Sequence, residues 1–310
     1  MHSTSAPVVT SFNRSFRGIV PMLLITGATG ALGRLITAKL ADHAMHADHA
    51  DHVDHADHAD RTGAPFVVGT RDPAPGQRRI DFDDPESLDF TGVDTLLVIS
   101  AGAAEDDVVI ARHEAVITAA EKAGVGHLVY TSLSGDGDHL TYALAHRWTE
   151  RRLRRSALAW TVLRNGLYAE FLAAVAAPGP DGTIAAPLGD GRLAAVARED
   201  LAEVAVRVAT APAAHAGRTY ELVGEEPLGG ADLAAATGGS YEPGGLEATR
   251  AAITGAGQAL PFQVPMLLST YSSIAGGFLD GTSIADNALR TLLGRAPRSA
   301  LDAYVSAVRG

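Results

Sequence analysis

Residues 22–33 of the chain read MLLITGATGALG. The apolar run at the start is typical of a buried strand, and an alanine- and leucine-rich stretch typical of a helix follows the glycines. Gly27 permits a tight turn, Gly30 lets the backbone approach a pyrophosphate, and Gly33 allows close packing of helix on strand. The helix N-terminus offers free N–H groups to phosphates. The stretch predicts a strand–turn–helix unit that binds a dinucleotide, with these cofactor-binding residues: Gly27, Thr29, Gly30, Ala31, Leu32 and Gly33.

The same alternation of strand and helix continues along the chain. Short apolar runs predict strands over 22–26, 66–70, 95–100, 127–131 and 160–163, with a weaker one over 79–82. Alanine- and leucine-rich stretches predict helices over 31–40, 104–123 and 143–156. Continuously apolar strands separated by helices indicate a parallel sheet that is covered on both faces. We therefore predict an α/β fold, a Rossmann-type doubly wound parallel sheet.

The regular pattern weakens after residue 165. Turn clusters at 178–182 and 189–191 precede a predicted helix over 198–209 and a predicted strand over 219–223. We predict an NAD(P)-binding domain over 22–165 and a smaller C-terminal substrate-binding domain over 166–310, partly interleaved with the first. Residues 1–21 are predicted to be a flexible N-terminal extension, with Met22 as an alternative start.

Residues 42–60 form a near-perfect Asp-His-Ala repeat that holds six histidines and six aspartates. One interpretation is a repeat expansion tolerated at the surface, either disordered or extending the first helix. Another is a pH-sensitive element, because histidines gain charge below about pH 6.5. The spacing also favours adventitious Zn²⁺ or Ni²⁺ binding in vitro. No catalytic metal is predicted.

Composition excludes several classes of protein. The chain has 310 residues, 46% of them hydrophobic, which is enough for a core, and a net charge of −11, which disfavours nucleic-acid binding. It has no cysteine, which excludes disulfides and thiolate chemistry. No apolar run is long enough for a membrane span. We expect a cytoplasmic protein with a small-molecule substrate and leave a homo-oligomer open.

The end of the second predicted strand bears on the choice between NADP and NAD. Arg71 lies 44 positions after Gly27, or 25 when the nineteen residues of the repeat are left out. The latter is the usual spacing for the residue that meets the ribose, and a guanidinium suits a 2′-phosphate. We therefore predict NADPH, with NADH less favoured. The alternative is a surface arginine, with Asp72 recognising NAD.

Further cofactor contacts are expected at the ends of the next strands. Phe82 would stack on the adenine and Asp83 would accept a hydrogen bond from its amine. The alternative is a core phenylalanine beside a solvated acid. The carboxyl edge of a parallel sheet is where such folds bind ligands. It supplies the remaining candidates: Ser100, Ala101, Gly102, Thr131 and Ser132.

Four segments together resemble a known family. They are TGATGALG at 26–33, RDP at 71–73, YTSL at 130–133 and LRNGLY at 163–168. They occur in this order in the NmrA-like branch of atypical short-chain dehydrogenases/reductases, and the chain is most similar to the type-two NAD(P)H:quinone oxidoreductases. The resemblance implies a Rossmann domain that binds NADPH and a cleft that admits a quinone-like acceptor. We expect direct hydride transfer without flavin. The branch also includes NADPH sensors without turnover.

The chain lacks the tyrosine–lysine pair with which ordinary short-chain reductases protonate an alkoxide, because neither of its two lysines follows a tyrosine by four residues. The nearest equivalent is Tyr142 with His146, and only His146 matches the quinone reductase pattern. A quinone tolerates this absence, since hydride addition gives a weakly basic phenolate. The predicted catalytic residues are Tyr168, His146, Asn165 and Tyr142.

Structural roles compete with three of these four assignments. Asn165 could simply make the turn after its strand, His146 could face solvent or pack, and Tyr142 could be a half-buried helix residue. We predict an NADPH-dependent oxidoreductase that transfers hydride to a quinone or a conjugated carbonyl. The alternatives are an NADP(H)-binding redox sensor without turnover and a natural-product enone reductase.

Overall fold

The computed structural model describes residues 21–50, 66–101, 104–135 and 139–310, and only the backbone of 44–50. Nearly all of the predicted N-terminal extension, the second half of the Asp-His-Ala repeat, and Gly102 therefore lie outside the described residues. The first half of the repeat is helical, since it continues the first helix to Ala50. No helix in the described part is long and apolar enough to cross a membrane.

Seven of the described strands form one parallel sheet, in the order β3-β2-β1-β4-β5-β6-β9. Their bounds are β1 Leu23–Thr26, β2 Phe66–Thr70, β3 Arg78–Arg79, β4 Thr95–Ile99, β5 His127–Leu133, β6 Ala159–Asn165 and β9 Arg218–Leu222. The chain winds outward from β1 in both directions, which makes the sheet doubly wound. The predicted Rossmann-type α/β fold is confirmed.

Alternate side chains of the strands enter two different cores, as the pleat of a strand requires. Leu23 and Ile25 belong to the core on one face, and Leu24 belongs to the core on the other. The first face is covered by α1 (Ala31–Ala50), α5 (Arg198–Thr210) and α9 (Leu289–Leu293), and the second by α2 (Asp106–Ala123) and α3 (Ala143–Leu153). Both faces are buried, which explains the continuously apolar strands.

A third core lies beyond the sheet, in the C-terminal part of the chain. Tyr271, Ile274 and Tyr304 pack there with residues 169–195. Its elements are α4 Ala169–Val175, β7 Thr183–Ala186, β8 Arg192–Leu193, β10 Leu228–Gly229, α6 Gly230–Thr237, β11 Ser240–Pro243, α7 Leu246–Ala256, α8 Gln263–Ala275 and α10 Ala300–Arg309. Strand β9 belongs to the sheet, and α5 and α9 cover one of its faces, although all three lie beyond residue 165. The two predicted domains are therefore interleaved. The boundary at 165/166 stays a prediction.

Several predicted bounds differ from the structure. Where a weak strand was predicted over 79–82, only the two-residue strand β3 forms. The chain turns away from β2 after the hydrogen bond from Ile80 N to Thr70 O. The helix predicted to 156 ends at Leu153, whose carbonyl accepts the Ser156 hydroxyl. Strands β7, β8, β10 and β11 were not predicted. They pair with partners distant in sequence and have no apolar alternation of their own.

Candidate active site

A cleft opens at the carboxyl ends of β1, β2 and β4. The glycine loop forms one wall, and the chain that follows β2 and β3 forms the other. The residues that line it are Thr26, Gly27, Thr29, Gly30, Gly69, Thr70, Arg71, Ile80, Asp81, Phe82, Asp83, Ile99, Ser100, Ala101 and Arg112. Most of the predicted cofactor residues therefore meet in one place.

The glycine loop has the shape that a phosphate cradle requires. Gly27 has a φ of 70°, and a Cβ on Gly33 would lie 2.2 Å from the Gly27 carbonyl oxygen, so both positions need glycine. A Cβ on Gly30 would meet only that same oxygen, at 3.4 Å, so its outer side stays open to a ligand. Because the first helical hydrogen bond is Arg34 N to Gly30 O, the first-turn N–H groups have no carbonyl to bind. These belong to Ala31, Leu32 and Gly33.

Leu32 and Ala31 contribute backbone rather than side chain. The Leu32 side chain is buried in the core under the sheet, and neither residue lines the cleft. A phosphate contact from either one would therefore come from its N–H group at the start of α1.

The end of the cleft at β2 and β3 carries two arginines, Arg71 and Arg112, and two aspartates, Asp81 and Asp83. Arg71 is exposed there and makes no hydrogen bond or ion pair with any described residue, so its guanidinium is available to an anion. Arg112, on α2, binds Asp83 in bidentate fashion, at 2.6 Å through Nε and 2.7 Å through Nη2. The Arg112 hydrogen bond holds the pKa of Asp83 below its ordinary value. Phe82 is half-buried against the core and lines the cleft between them.

Asp83 is therefore not a free acceptor for the adenine amine. Both of its oxygens bind Arg112, although a carboxylate oxygen retains a second lone pair. Arg112 is a residue that the sequence analysis missed. It lies 29 positions from Asp83, and no spacing signal links a helix residue to the end of a strand.

A second pocket lies next to this cleft, at the ends of β4, β5 and β6. Ile99 and Ser100 line both. The second pocket, called here the acceptor pocket, is lined by Ile99, Ser100, Thr131, Ser132, Leu133, Tyr142, His146, Asn165, Gly166, Leu167, Tyr168 and Phe171. All four predicted catalytic residues line it, beside the predicted nicotinamide contacts Thr131 and Ser132.

His146 is the polar side chain of the acceptor pocket with the clearest chemistry. Its Nδ1 lies 2.9 Å from the Tyr130 hydroxyl, and its Nε2 makes no hydrogen bond with any described residue. Burial, and then the neighbouring Arg147, lower the pKa of His146 to about 4. The imidazole is therefore neutral at physiological pH.

A second buried histidine, His113, lies behind Tyr130. Its Nε2 accepts the Ala101 N–H at 3.2 Å, so its proton is on Nδ1, which donates to Thr149 Oγ1 at 2.8 Å. Burial lowers the pKa of His113 to about 3. The rings of His113 and Tyr130 meet edge to face, with centroids 5.4 Å apart. The buried His113 thus holds the backbone N–H of Ala101 in place at the cleft.

Two buried oxygens beside the pocket lack hydrogen-bond partners in the described part of the chain. They are Ser100 Oγ, where the cleft meets the acceptor pocket, and Asn165 Oδ1. Unpaired buried polar atoms are costly and rare, so these two oxygens are free to accept hydrogen bonds from a bound molecule. The residues present therefore fit a dinucleotide.

The remaining predicted residues are held by neighbours. Tyr168 lies under the Arg198 guanidinium, 4.8 Å from its ring centroid, and burial raises the pKa of its phenol. The Tyr142 hydroxyl lies 3.1 Å from Thr270 Oγ1, whose own proton goes to the Met266 carbonyl. Tyr142 must therefore donate to Thr270, which leaves it a poor acid for a substrate.

Beneath the pocket, Ser132 donates to the buried carboxylate of Glu150 at 2.7 Å. Arg164 binds the same carboxylate with Nε and Nη2, at 2.8 and 2.6 Å. Burial alone would raise the pKa of Glu150, but the Arg164 and Ser132 hydrogen bonds outweigh it and lower the pKa to about 2. The arginine of the LRNG segment thus has a structural role. It ties β6 to α3 and to Ser132 at the pocket floor.

Within the described residues, no group of three or more His, Asp or Glu side chains could hold a metal ion. The histidines of the repeat from residue 44 on have no described side chains, so metal binding there stays a prediction.

The chain belongs to the NAD(P)H-binding protein family, whose match spans residues 27–212. It is 39% identical over 152 residues to quinone oxidoreductase 2 of Escherichia coli, an alignment that covers 48% of this chain and 52% of that protein. It is 30% identical over 189 residues to an NAD(P)H azoreductase of Xenophilus azovorans, covering 57% and 64%. The chain thus spans about half to two thirds of these curated relatives.

Solved structures match over nearly the whole chain. The NADPH complex of the E. coli quinone oxidoreductase has a TM-score of 0.75 at 28% identity, covering 92% of this chain and 99% of that one. The NADP(H) complex of Citrobacter sp. triphenylmethane reductase has a TM-score of 0.76 at 27% identity, with the same coverage. The resemblance predicted from the sequence is confirmed.

Proposed function

We propose that the protein is an NADPH-dependent oxidoreductase that transfers hydride to a quinone or a similar conjugated carbonyl. The observation that carries the proposal is the contact between the two pockets. Ile99 and Ser100 line both the cleft and the acceptor pocket, so a nicotinamide and an acceptor bound there would lie side by side. The names of the relatives support the same class of reaction.

NADPH, when bound, supplies the hydride. We assign the pyrophosphate to the glycine loop and the N-terminus of α1, and the 2′-phosphate to the free guanidinium of Arg71. Arg71 is favoured over Asp72 because only Arg71 lines the cleft. Ser100 and Asn165 carry the unpartnered oxygens at the reactive end and would position the ring.

His146 would bind the acceptor oxygen. If Tyr130 donates to Nδ1, the proton of the neutral imidazole lies on Nε2, the nitrogen left without a partner. Nε2–H can then donate to a quinone oxygen and stabilise the negative charge that develops there. Tyr130 keeps the proton that this donation needs, since burial raises the pKa of its phenol.

This arrangement suits a weakly basic product. A donor histidine can stabilise a phenolate, which then takes its proton from water, whereas an alkoxide from a simple ketone needs a strong acid nearby. Tyr142 donates to Thr270 and cannot fill that role without breaking the bond. Geometry that brings the acceptor against the nicotinamide would supply most of the catalysis.

The test is NADPH oxidation in the presence of benzoquinone, naphthoquinone, an enone and a simple ketone, followed by the absorbance of reduced nicotinamide. The proposal predicts turnover of the quinones, slower turnover of the enone and none of the ketone, with NADPH preferred to NADH. NADPH binding without turnover of any acceptor would contradict it and favour a redox sensor.

A further inference from the structure

A smaller cavity lies beyond the acceptor pocket, on the side away from the cofactor cleft. Leu133, Gly166 and Leu167 line both, so the two spaces are neighbours and meet at these residues. The far wall of the smaller cavity comes from residues 277–284, between α8 and α9. Its volume is about 130 Å³, too small for a second cofactor.

The lining of this cavity is mostly apolar. No charged side chain of the described residues lines it, and its polar side chains are Ser134, His139 and Ser283. The backbone N–H groups at its edge are already used, since Ser134 N donates to Asn165 O and Gly135 N donates to Glu221. A ligand here would gain little from polar groups and much from contact with hydrocarbon.

The mouth of the cavity carries an exposed aromatic ring. Phe278 is 52% exposed, although large apolar side chains are usually covered. It stacks on His139 with centroids 4.0 Å apart and an interplanar angle of 15°. Two glycines with positive φ, Gly277 and Gly281, shape the loop that carries it. The ring is thus held at the rim rather than folded into the core.

We propose that this cavity is a second subsite for the acceptor and takes a hydrocarbon substituent carried on the quinone ring. The inference rests on the proposed function. With the quinone ring at His146, a substituent directed away from the nicotinamide would pass Leu133 and Leu167 into the cavity. Preferred acceptors would therefore be alkyl-substituted quinones rather than bare ones.

The test uses naphthoquinones that are bare or carry a methyl, ethyl, butyl or octyl group. We expect kcat/KM to rise about three- to fourfold for each buried methylene, which corresponds to about 0.8 kcal/mol, until the cavity is full. The rise should appear mainly in KM and should end before octyl. Calorimetry with alkylnaphthols, which accept no hydride, should show the same dependence of binding on chain length.

The matched variants are Ser283→Phe and Ala285→Phe. Both positions are exposed, but only Ser283 lines the cavity, so only its phenylalanine would fill the mouth. We expect Ser283→Phe to abolish the dependence of kcat/KM on chain length and Ala285→Phe to retain it.

The outcomes separate this inference from the proposed function. Turnover of bare naphthoquinone with no dependence on chain length, or the same dependence in Ser283→Phe as in the unmodified protein, would overturn the subsite alone. Turnover of none of the quinones would overturn both.

Discussion

The hydroxyl of Tyr130 lies 2.9 Å from Nδ1 of His146, in the wall of the acceptor pocket. Tyr130 is 1% exposed and its phenol cannot reach solvent, so the bond links a buried group to one that faces the pocket. As the proposed donor to Nδ1, Tyr130 would fix the tautomer of His146 and would be a positioning residue. It would act on an acceptor only through His146, whose Nε2 keeps the proton when Tyr130 donates to Nδ1.

Tyr130→Phe is expected to lower kcat about tenfold or more, with an unchanged Kd for NADPH. The substitution retains the ring and removes only the donor that selects the tautomer, and a positioned proton donor contributes about 10²-fold or more. Nitrogen NMR of His146 should show the proton on Nε2 in the unmodified protein and a mixture of tautomers in the variant.

Tyr220→Phe provides a matched control for that substitution. Tyr220 makes the same kind of bond, 2.9 Å from Nδ1 of His215, at a position that lines neither the cleft nor the acceptor pocket. We expect kcat to be unaffected there. An equal loss in both variants would mean that Tyr130 acts through stability alone.

The pH dependence of turnover follows from the pKa of His146, which burial lowers to about 4. From pH 5.5 to 8 the imidazole stays neutral, so kcat with a quinone should be flat across that range. The rate should fall only as the pH approaches 4, where Nδ1 gains a proton and the bond from Tyr130 is lost. A pH profile with a midpoint near 6.5 would rule out the buried, neutral histidine.

Arg71→Ala should raise the Kd for NADPH about 10- to 100-fold and leave the Kd for NADH nearly unchanged. A hydrogen-bonded charge on the 2′-phosphate contributes about 1.5–3 kcal/mol, and NADH lacks that phosphate. Fluorescence titration with both nucleotides measures it. Arg218→Ala is the control, since Arg218 is an exposed arginine that lines no part of the cleft. Equal loss for the two nucleotides would place Arg71 outside phosphate recognition.

Stability should decrease in mild acid because of His113. Its pKa is about 3 in the folded chain, against an ordinary value of 6.5, so the unfolded chain takes up a proton that the folded chain refuses. The free energy of unfolding therefore falls as pH drops from 6.5 toward 3, by up to about 1.4 kcal/mol for each pH unit. His146 adds a smaller contribution of the same sign.

Urea titrations at pH 7.5 and 5 check this expectation. His113→Gln, which cannot titrate, should be less stable at pH 7.5 but should lose less stability between the two values than the unmodified chain. An equal loss in both proteins would show that His113 does not carry the pH dependence.

The parts of the site that follow one another in sequence were predictable. The glycine loop and Arg71 belong to the strand–turn–helix pattern, and once the repeat was left out their spacing indicated the cleft. Arg112 was not predictable, because the packing of α2 alone brings it to Asp83. Tyr130 lay inside a recognised segment, but the burial of its hydroxyl against His146 depends on α3. The strands β7 and β11 were missed because their stability comes from each other, across more than fifty residues.

The predicted residue roles differ in how far geometry supports them. His146 and Asn165 present an unpartnered atom at the pocket, whereas Tyr142 is committed to Thr270 and Tyr168 to Arg198. Residue types alone cannot separate these cases, because each depends on which neighbour takes the hydrogen bond.

The most direct test of the central claim is a single turnover. The protein, freed of any flavin and loaded with NADPH at equal concentration, is mixed rapidly with excess naphthoquinone, and reduced nicotinamide is followed by absorbance. The account predicts complete oxidation of the bound NADPH in one phase, faster than free NADPH reacts and slowed by His146→Ala. If bound NADPH is oxidised no faster than free NADPH, the two pockets do not form one reaction site.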